Sequence, residues 1–153
     1  MANLLVLAIN PGSTSTKIAV YQQNKQLFQK TIYHDNEALA KFDKITDQFQ
    51  FRKGIIMDEL KKAHIMLDDI KIIVGRGGLL KPVSSGIYEV NDRMKEDLRN
   101  SPIGEHASNL GGLIADDFAR SIEGARAFIA DPVVVDELQD LARLSGHPLI
   151  ERR

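Results

Sequence analysis

LLVLAINPGSTSTKIAVY, residues 4–21 of the 153-residue chain, is the stretch around which the rest of the sequence is organised. Its apolar first half ends at Ile9, carries no charge and is too short to span a bilayer, so it predicts a buried strand. Residues 10–12 (Asn-Pro-Gly) have the chemistry of a turn, because Pro fixes φ and Gly accepts a positive φ. A second β-rich run, from Lys17 to Tyr21, follows at hairpin distance. The pattern predicts two strands joined by a polar turn.

The turn concentrates groups that bind anions. Asn10, Ser13, Ser15 and Lys17 contribute an amide, two hydroxyls and an ammonium within eight residues. Such a tip suits phosphate oxygens or the waters of a hydrated magnesium ion, which need several donors and one neutralising charge. A solvated Ser/Thr turn has the same composition, so composition alone leaves both interpretations open.

Residues 6–17 resemble the amino-terminal signature of the acetate and butyrate kinases. In that family apolar residues precede Asn-x-Gly-Ser-[Ser/Thr]-[Ser/Thr]-x-Lys, and every fixed position is filled here. The sequence Asn-Pro-Gly-Ser-Thr-Ser-Thr-Lys is more similar to the signature of the butyrate kinases than to that of the acetate kinases. The resemblance implies that Asn10, Ser13, Ser15 and Lys17 orient phosphate oxygens or metal-bound waters.

Composition excludes several other classes of protein. The chain is 43% hydrophobic with a formal net charge of −1, so it can bury one core and shows no basic surface for nucleic acid. It has no cysteine, which excludes a disulfide scaffold and thiolate metal sites. Without an apolar run long enough to cross a bilayer, we expect a cytoplasmic protein that binds neither membranes nor nucleic acid.

The rest of the sequence predicts an alternation of strands and helices. A third strand, 26–33, extends the hairpin into an antiparallel meander, and helical spacing follows over 39–49 and 55–66, with Gly54 as a possible interruption. The later segments are predicted as a strand at 70–74, a short β run at 86–90, helices after Asn91 and from 106 to 122, a strand at 125–130, and a final helix to 146. The order β-β-β-α-β-α-β-α is that of the ribonuclease-H-like α/β unit of actin, sugar kinases and heat-shock ATPases, with a mixed sheet and helices on both faces.

A glycine-rich segment follows the predicted fourth strand. Arg76, Gly77 and Gly78 lie where open α/β sheets place ligand contacts, at the carboxyl end of a strand. The segment is neither a Walker P-loop nor a dinucleotide fingerprint, and a tight turn with a solvated arginine is the alternative. The family carries an Arg-Gly-Gly-type segment here, which implies that Arg76 contacts substrate or the transferring phosphoryl group and that Gly77 and Gly78 border the substrate pocket.

Two further residues have competing interpretations. Asp131 followed by Pro132 predicts a helix N-cap, and the family's strand-end aspartate implies that Asp131 also holds magnesium through water, together with Asn10. His106 has the chemistry of a general acid, but a histidine near the surface at the start of a helix is the preferred interpretation. Family histidines in this neighbourhood do not align with it cleanly.

The resemblance implies one domain of a larger enzyme. Residues 1–153 correspond to the amino-terminal domain of a two-domain acyl kinase, and a second, adenosine-binding domain is not part of this sequence. The implied reaction transfers the ATP γ-phosphoryl group to a short-chain carboxylate, with Mg²⁺ and ATP/ADP as partners, in a full-length protein expected to be a homo-oligomer. The isolated fragment is expected to be inactive. The alternative is a non-catalytic phosphate-binding or interaction module on the same fold.

Overall fold

Six strands form the framework of the chain. The computed structural model describes residues 4–101, 104–135, 137–144, 146–147 and 149. The strands are β1 (Leu5–Pro11), β2 (Ser15–Gln22), β3 (Lys25–Tyr33), β4 (Ile70–Arg76), β5 (Ile87–Glu89) and β6 (Arg126–Ala130). They make one mixed sheet in the order β3-β2-β1-β4-β6-β5.

β1 lies at the centre of the sheet, as its apolar sequence predicts. It pairs antiparallel with β2 and parallel with β4. β3 completes the meander beside β2, while β6 lies parallel to β4 and β5 is a short antiparallel edge strand. Because parallel neighbours need crossover connections, each link between them contains a helix.

The helices are α1 (Asn36–Leu39), α2 (Phe49–Lys62), α3 (Asp92–Asn100) and α4 (Asn109–Ser121), with 3₁₀ turns at Ile45–Gln48, Leu67–Asp69 and Asp140–Arg143. Asn91 caps α3 as predicted, since its Oδ1 accepts the Met94 N–H at 2.9 Å. None of the described helices is long and apolar enough to cross a membrane.

α2 and α4 cover the same face of the sheet. Arg52 of α2 bonds to Thr16, and Gly111 of α4 packs on Gly75; in the strand register Thr16 and Gly75 both belong to that face. The core between sheet and helices is formed by fully buried aliphatic and aromatic side chains, among them Leu7, Ile9, Ile18, Val20, Ile56, Leu60, Ile73, Ile114, Phe118 and Ile129. The opposite face carries half-buried residues such as Val6, Ala8, Ala19, Val74 and Phe128.

The predicted α/β fold and its strands are confirmed, but two helical predictions are wrong. The first stretch of helical spacing, residues 39–49, forms only the end of α1 and a 3₁₀ turn before α2 begins. α2 then runs through Gly54 without a break. The helix predicted after β6 is absent from the described residues 132–135 and 137–144, apart from one 3₁₀ turn. Three successive β-branched valines follow Pro132, and Val135 forms a bridge with Val83 instead. The described residues 132–135 and 137–144 therefore provide no helix layer on the second face of the sheet.

Candidate functional site

The strand register aligns a polar row across the sheet. Asn10 lies directly opposite Lys17 on the β1–β2 ladder, and Arg76 follows Gly75, which pairs with Ile9 of β1. Ala130 of β6 lies opposite Arg76, and Asp131 comes directly after it. With strands about 4.8 Å apart, the row crosses four strands over about 14 Å. It therefore joins residues that are separated by up to 121 positions in the sequence.

This row borders one cavity on the sheet face opposite α2 and α4. The cavity has a volume of about 300 Å³, and Asn10, Lys17, Arg76 and Asp131 all line it. Its remaining lining is mostly apolar and includes Ala8, Ala19, Tyr21, Val74 and Ala130. A polar rim thus stands beside an apolar floor, an arrangement that suits an amphipathic ligand with a charged head and a short hydrocarbon tail.

Asp131 does not cap a helix. Its φ of 43° is in the left-handed region, no helix begins in the described residues 132–135 that follow it, and its N–H donates to the carbonyl of Gly86 at 3.2 Å. The N-cap prediction is therefore wrong, because the chain turns at Asp131 into residues that bridge to another loop. A left-handed conformation costs a residue with a Cβ about 1–2 kcal/mol, although Asp tolerates it better than most. The strained turn places the exposed carboxylate on the rim of the cavity.

The polar turn between β1 and β2, residues 12–16, is termed the phosphate loop. It closes with a hydrogen bond from the Gly12 N–H to the Ser15 carbonyl at 2.7 Å. Ser13 is exposed and Ser15 half-buried, and both lie next to the cavity in sequence without being part of its lining. The structure thus places Asn10 and Lys17 on the cavity wall and the two serines in the adjoining loop.

A buried cluster behind the phosphate loop was missed from the sequence. Arg52, Gln48, Thr16 and His34 are each less than 9% exposed and are joined by hydrogen bonds. Burial lowers the pKa of Arg52, which still remains charged because a guanidinium starts far above neutral. Burial and, secondarily, the charge of Arg52 lower the pKa of His34. The available signal was the spacing of Arg52, which lies four residues before buried Ile56 on the same face of α2.

Residues 75–79, termed the glycine loop, are held by the first turn of α4. The Gly78 N–H donates to Ser108 Oγ at 3.2 Å, and the Leu79 N–H donates to Asn109 Oδ1 at 2.8 Å. Gly77 and Gly78 have positive φ values of 85° and 118° and pack against Ser108 and Leu98. Both glycines are therefore in tight packing contacts and do not line the cavity that contains Arg76. Neither Ser108 nor Asn109 was recognised from the sequence.

His106 acts on this loop indirectly. Its Nδ1 accepts the Ser108 N–H at 3.2 Å and lies 2.6 Å from Ser108 Oγ, which in turn accepts the Gly78 N–H. The side chain is exposed at the start of α4, as the sequence predicted. Two apolar residues near this loop have different environments, since Leu80 is 3% exposed in the core and Ile87 is 71% exposed.

Asp131 and Asn10 fit a magnesium ion that keeps most of its waters better than a metal ion bound directly by several protein ligands. No cluster of three or more His, Cys, Asp or Glu residues is found among the described residues. Asp131 and Asn10 nevertheless provide a carboxylate and an amide oxygen on the same cavity. Magnesium commonly keeps several waters and is held by one or two carboxylates plus substrate phosphates, so these residues fit an ion that also binds phosphate groups.

The curated proteins that resemble this chain include several named butyrate kinase or probable butyrate kinase. The chain is 53% identical over 148 residues to butyrate kinase 1 of Clostridium acetobutylicum and 49% identical to butyrate kinase 2 of the same organism. It is 52% identical to a probable butyrate kinase of Clostridium botulinum. These matches cover 97% of this chain and 41% of each relative, so the chain spans about two fifths of their length. No protein-family model matches.

Comparison with solved structures agrees on the fold. The acetate kinase of Entamoeba histolytica superposes with a TM-score of 0.51 at 16% identity, over 95% of this chain and 40% of that one. An exopolyphosphatase from Cytophaga hutchinsonii superposes with a TM-score of 0.53 at 11% identity, over 86% of this chain and 54% of that one. At such identities these structures show the shared fold alone. The curated relatives go further: over 97% of its own length this chain is a homologue of the butyrate kinases.

Proposed function

We propose that the full-length protein containing this chain is a carboxylate kinase. It transfers the γ-phosphoryl group of ATP reversibly to butyrate or a similar short-chain acid, giving an acyl phosphate and ADP. The observation that carries the proposal is the row of Lys17, Asn10, Arg76 and Asp131 on one cavity. The similarity to butyrate kinases supports the choice of phosphoryl transfer over other anion chemistry.

The attacking group needs no general base. A short-chain carboxylic acid has a pKa near that of Asp or Glu, so its carboxylate is already ionised at neutral pH. The main obstacle is repulsion between this anion and the negatively charged phosphoryl group. Positive charge and hydrogen-bond donors placed around the transferring group therefore provide most of the catalysis.

Each residue of the row has a role that its chemistry allows. Arg76 neutralises the carboxylate and the phosphoryl oxygens as the acyl oxygen bonds to phosphorus, while the bond to the departing ADP oxygen breaks with its electron pair. Lys17 and Asn10, opposite each other on neighbouring strands, hold phosphate oxygens. Ser13 and Ser15 add donors from the phosphate loop. Asp131 and Asn10 hold magnesium through its waters, and the ion supplies charge neutralisation on the nucleotide phosphates.

The apolar floor of the cavity supports an acyl chain longer than acetate. Ala8, Ala19, Val74 and Ala130 offer a shallow hydrocarbon surface beside Arg76. Burying the two additional methylenes of butyrate contributes about 1.6 kcal/mol, equivalent to about a 15-fold preference. We also propose that the full-length enzyme is cytoplasmic and a homo-oligomer, which subcellular fractionation and light scattering would test.

An acyl-hydroxamate assay on the full-length reading frame tests the function. The protein is assayed with ATP, Mg²⁺ and acetate, propionate, butyrate or isobutyrate. We expect the highest kcat/KM with butyrate and losses of about 10²-fold to 10³-fold in Arg76→Ala and Asp131→Asn. Arg120→Ala, which removes an exposed arginine at the end of α4, is the matched control and should retain full activity.

One result would contradict the proposed reaction, and another would contradict the role of Arg76. A folded full-length protein that phosphorylates none of the four acids is not a carboxylate kinase of this kind. Phosphate binding without turnover would then identify the non-catalytic phosphate-binding module. Full activity in Arg76→Ala would remove Arg76 from the mechanism while leaving the reaction intact.

A further inference from the structure

One arginine is completely buried behind the phosphate loop. Arg52 is 1% exposed, and all five of its N–H donors have acceptors. Nη1 donates to the Ser15 carbonyl at 3.1 Å and to Thr16 Oγ1 at 3.0 Å, and Nη2 donates to the Ser13 carbonyl at 3.2 Å. Nε and Nη2 both donate to Gln48 Oε1, at 3.0 and 2.9 Å. The guanidinium thus links α2 to three residues of the loop.

These bonds fix the direction of the loop backbone. The carbonyls of Ser13 and Ser15 point inward to Arg52, and the Thr14 carbonyl accepts the His34 N–H at 2.9 Å. The side chains of Ser13 and Thr14 are exposed, and the N–H groups of these two residues make no hydrogen bond to any other described residue. With its carbonyls held inside, the loop offers N–H and hydroxyl donors to the outside, as an anion-binding nest does.

The charge of Arg52 has no acidic neighbour among its hydrogen-bond partners. Its acceptors are two backbone carbonyls, one hydroxyl and one amide oxygen. Buried charges are normally paired with an opposite charge, since neutral dipoles compensate only part of the cost of desolvation. A phosphate group on the outer side of the loop would supply the missing negative charge.

We propose that Arg52 is a positioning residue for phosphate binding: its guanidinium orients the backbone of residues 13–15 toward the nucleotide, and its unpaired charge raises the affinity of the loop for phosphate. Arg52 does not touch the reacting atoms. Its hydrogen bonds hold the loop carbonyls on the inner side of the loop. Its positive charge attracts a phosphate group on the outer side of the loop. The role in catalysis rests on the proposed function, whereas the effect on loop order and on phosphate affinity can be measured without turnover.

Three substitutions separate the effect of Arg52 on the geometry of the loop from the effect of its charge. Arg52→Gln removes both the five-donor fork and the charge. Arg52→Lys keeps the charge but cannot bond to both carbonyls and Gln48 at once. Gln48→Glu keeps an acceptor for Arg52 and adds a negative charge against the guanidinium. The matched control is Lys53→Met, which removes a cation from the next position of α2, where Lys53 pairs with Asp117 and lies over Phe118.

The measurements are made on the full-length protein. Hydrogen-exchange mass spectrometry of a peptide covering residues 10–17 reports loop order, with residues 109–121 as the internal reference. Inorganic phosphate titrations report affinity, and kinetics with MgATP separate kcat from KM. We expect faster loop exchange and a lower kcat in Arg52→Lys. Gln48→Glu should keep the loop exchange rate and weaken phosphate binding roughly fivefold to tenfold, with a higher KM for MgATP.

Arg52→Gln should show both defects, with kcat/KM reduced about 10²-fold. Loop exchange and phosphate affinity that match Lys53→Met in all three variants would overturn the proposal. If Arg52→Gln cannot be isolated in a folded form, Gln48→Glu decides the charge effect and Arg52→Lys decides the loop geometry. A wild-type protein without kinase activity would refute the proposed function, while exchange and phosphate affinity would still decide the role of Arg52.

Discussion

The phosphate loop and the glycine loop follow neighbouring strands, yet they are anchored in opposite ways. The phosphate loop is held by one long, charged side chain, that of Arg52 on α2. The glycine loop is held by the neutral side chains of Ser108 and Asn109 and by direct backbone contact between Gly75 and Gly111. The first anchor depends on one charged side chain, whereas the second depends on two neutral side chains and on the absence of a Cβ where Gly75 meets Gly111.

The largest predicted effect comes from adding a methyl group to the glycine loop. In Gly75→Ala the new Cβ would overlap the backbone of Gly111 and lie 2.6 Å from the Gly112 nitrogen. Because backbone atoms cannot rotate away as a side chain can, α4 would have to move off the sheet. We expect a loss of about 3 kcal/mol or more in the free energy of unfolding, measured by urea denaturation.

Gly54→Ala is the control for this prediction. Gly54 is exposed in the middle of α2, and a Cβ there would meet nothing within 4 Å. Alanine should therefore stabilise the chain by about 0.5–1 kcal/mol through helix propensity. If Gly75→Ala unfolds at the same urea concentration as the wild type, the backbone contact between β4 and α4 is not an anchor.

A smaller effect is expected from the neutral hydrogen bonds of the glycine loop. Asn109 is 2% exposed, and its Oδ1 accepts the Leu79 N–H at 2.8 Å. Asn109→Ala would leave that N–H without its partner, at a cost of about 1–3 kcal/mol in the free energy of unfolding. Asn109→Asp retains an acceptor at the same place and should lose less stability. Equal losses in the two variants would show that the acceptor oxygen, which Asp keeps, does not account for the contribution of Asn109 to stability.

The difference between the loops also explains what could be predicted from the sequence. The hairpin, the parallel strands and the polar residues at strand ends follow from local patterns, and the strand-end rule placed Arg76 and Asp131 on the edge where the structure has them. These features are local because they depend on residue types that allow or forbid a backbone conformation.

The errors arose where distant contacts override local preference. Asp131-Pro132 has the sequence of a helix start, but the following valines bridge to Val83, and Asp131 adopts a left-handed turn. Arg52 looks like an ordinary helix residue, and its hydrogen bonds to the loop form only when Ser13 and Ser15 are brought next to it from 39 and 37 positions away. Pattern analysis cannot supply such pairings, because they are set by the packing of α2 on the sheet.

The smallest predicted effect is a pH dependence that originates in the anchor of the phosphate loop. His34 is 7% exposed and its Nε2 lies 2.8 Å from Thr16 Oγ1, the hydroxyl that also accepts from Arg52. Burial and the charge of Arg52 lower the pKa of His34, so the folded chain keeps this imidazole neutral at a pH where the unfolded chain protonates it. Stability should therefore be unaffected by His34 above about pH 6.5 and should decrease as the pH falls from there toward the lowered pKa.

The slope of that decrease has an upper limit of about 1.4 kcal/mol per pH unit, the value for one proton taken up only by the unfolded state. His34→Gln removes the titrating group while keeping a polar end near Thr16, so its free energy of unfolding should change less than that of the wild type between pH 7 and 5. Urea denaturation at several pH values compares the two chains, and carboxylates that titrate in both cancel in the difference. Parallel curves would mean that His34 is protonated equally in the folded and unfolded chains. The anchor of the phosphate loop would then be insensitive to pH in this range.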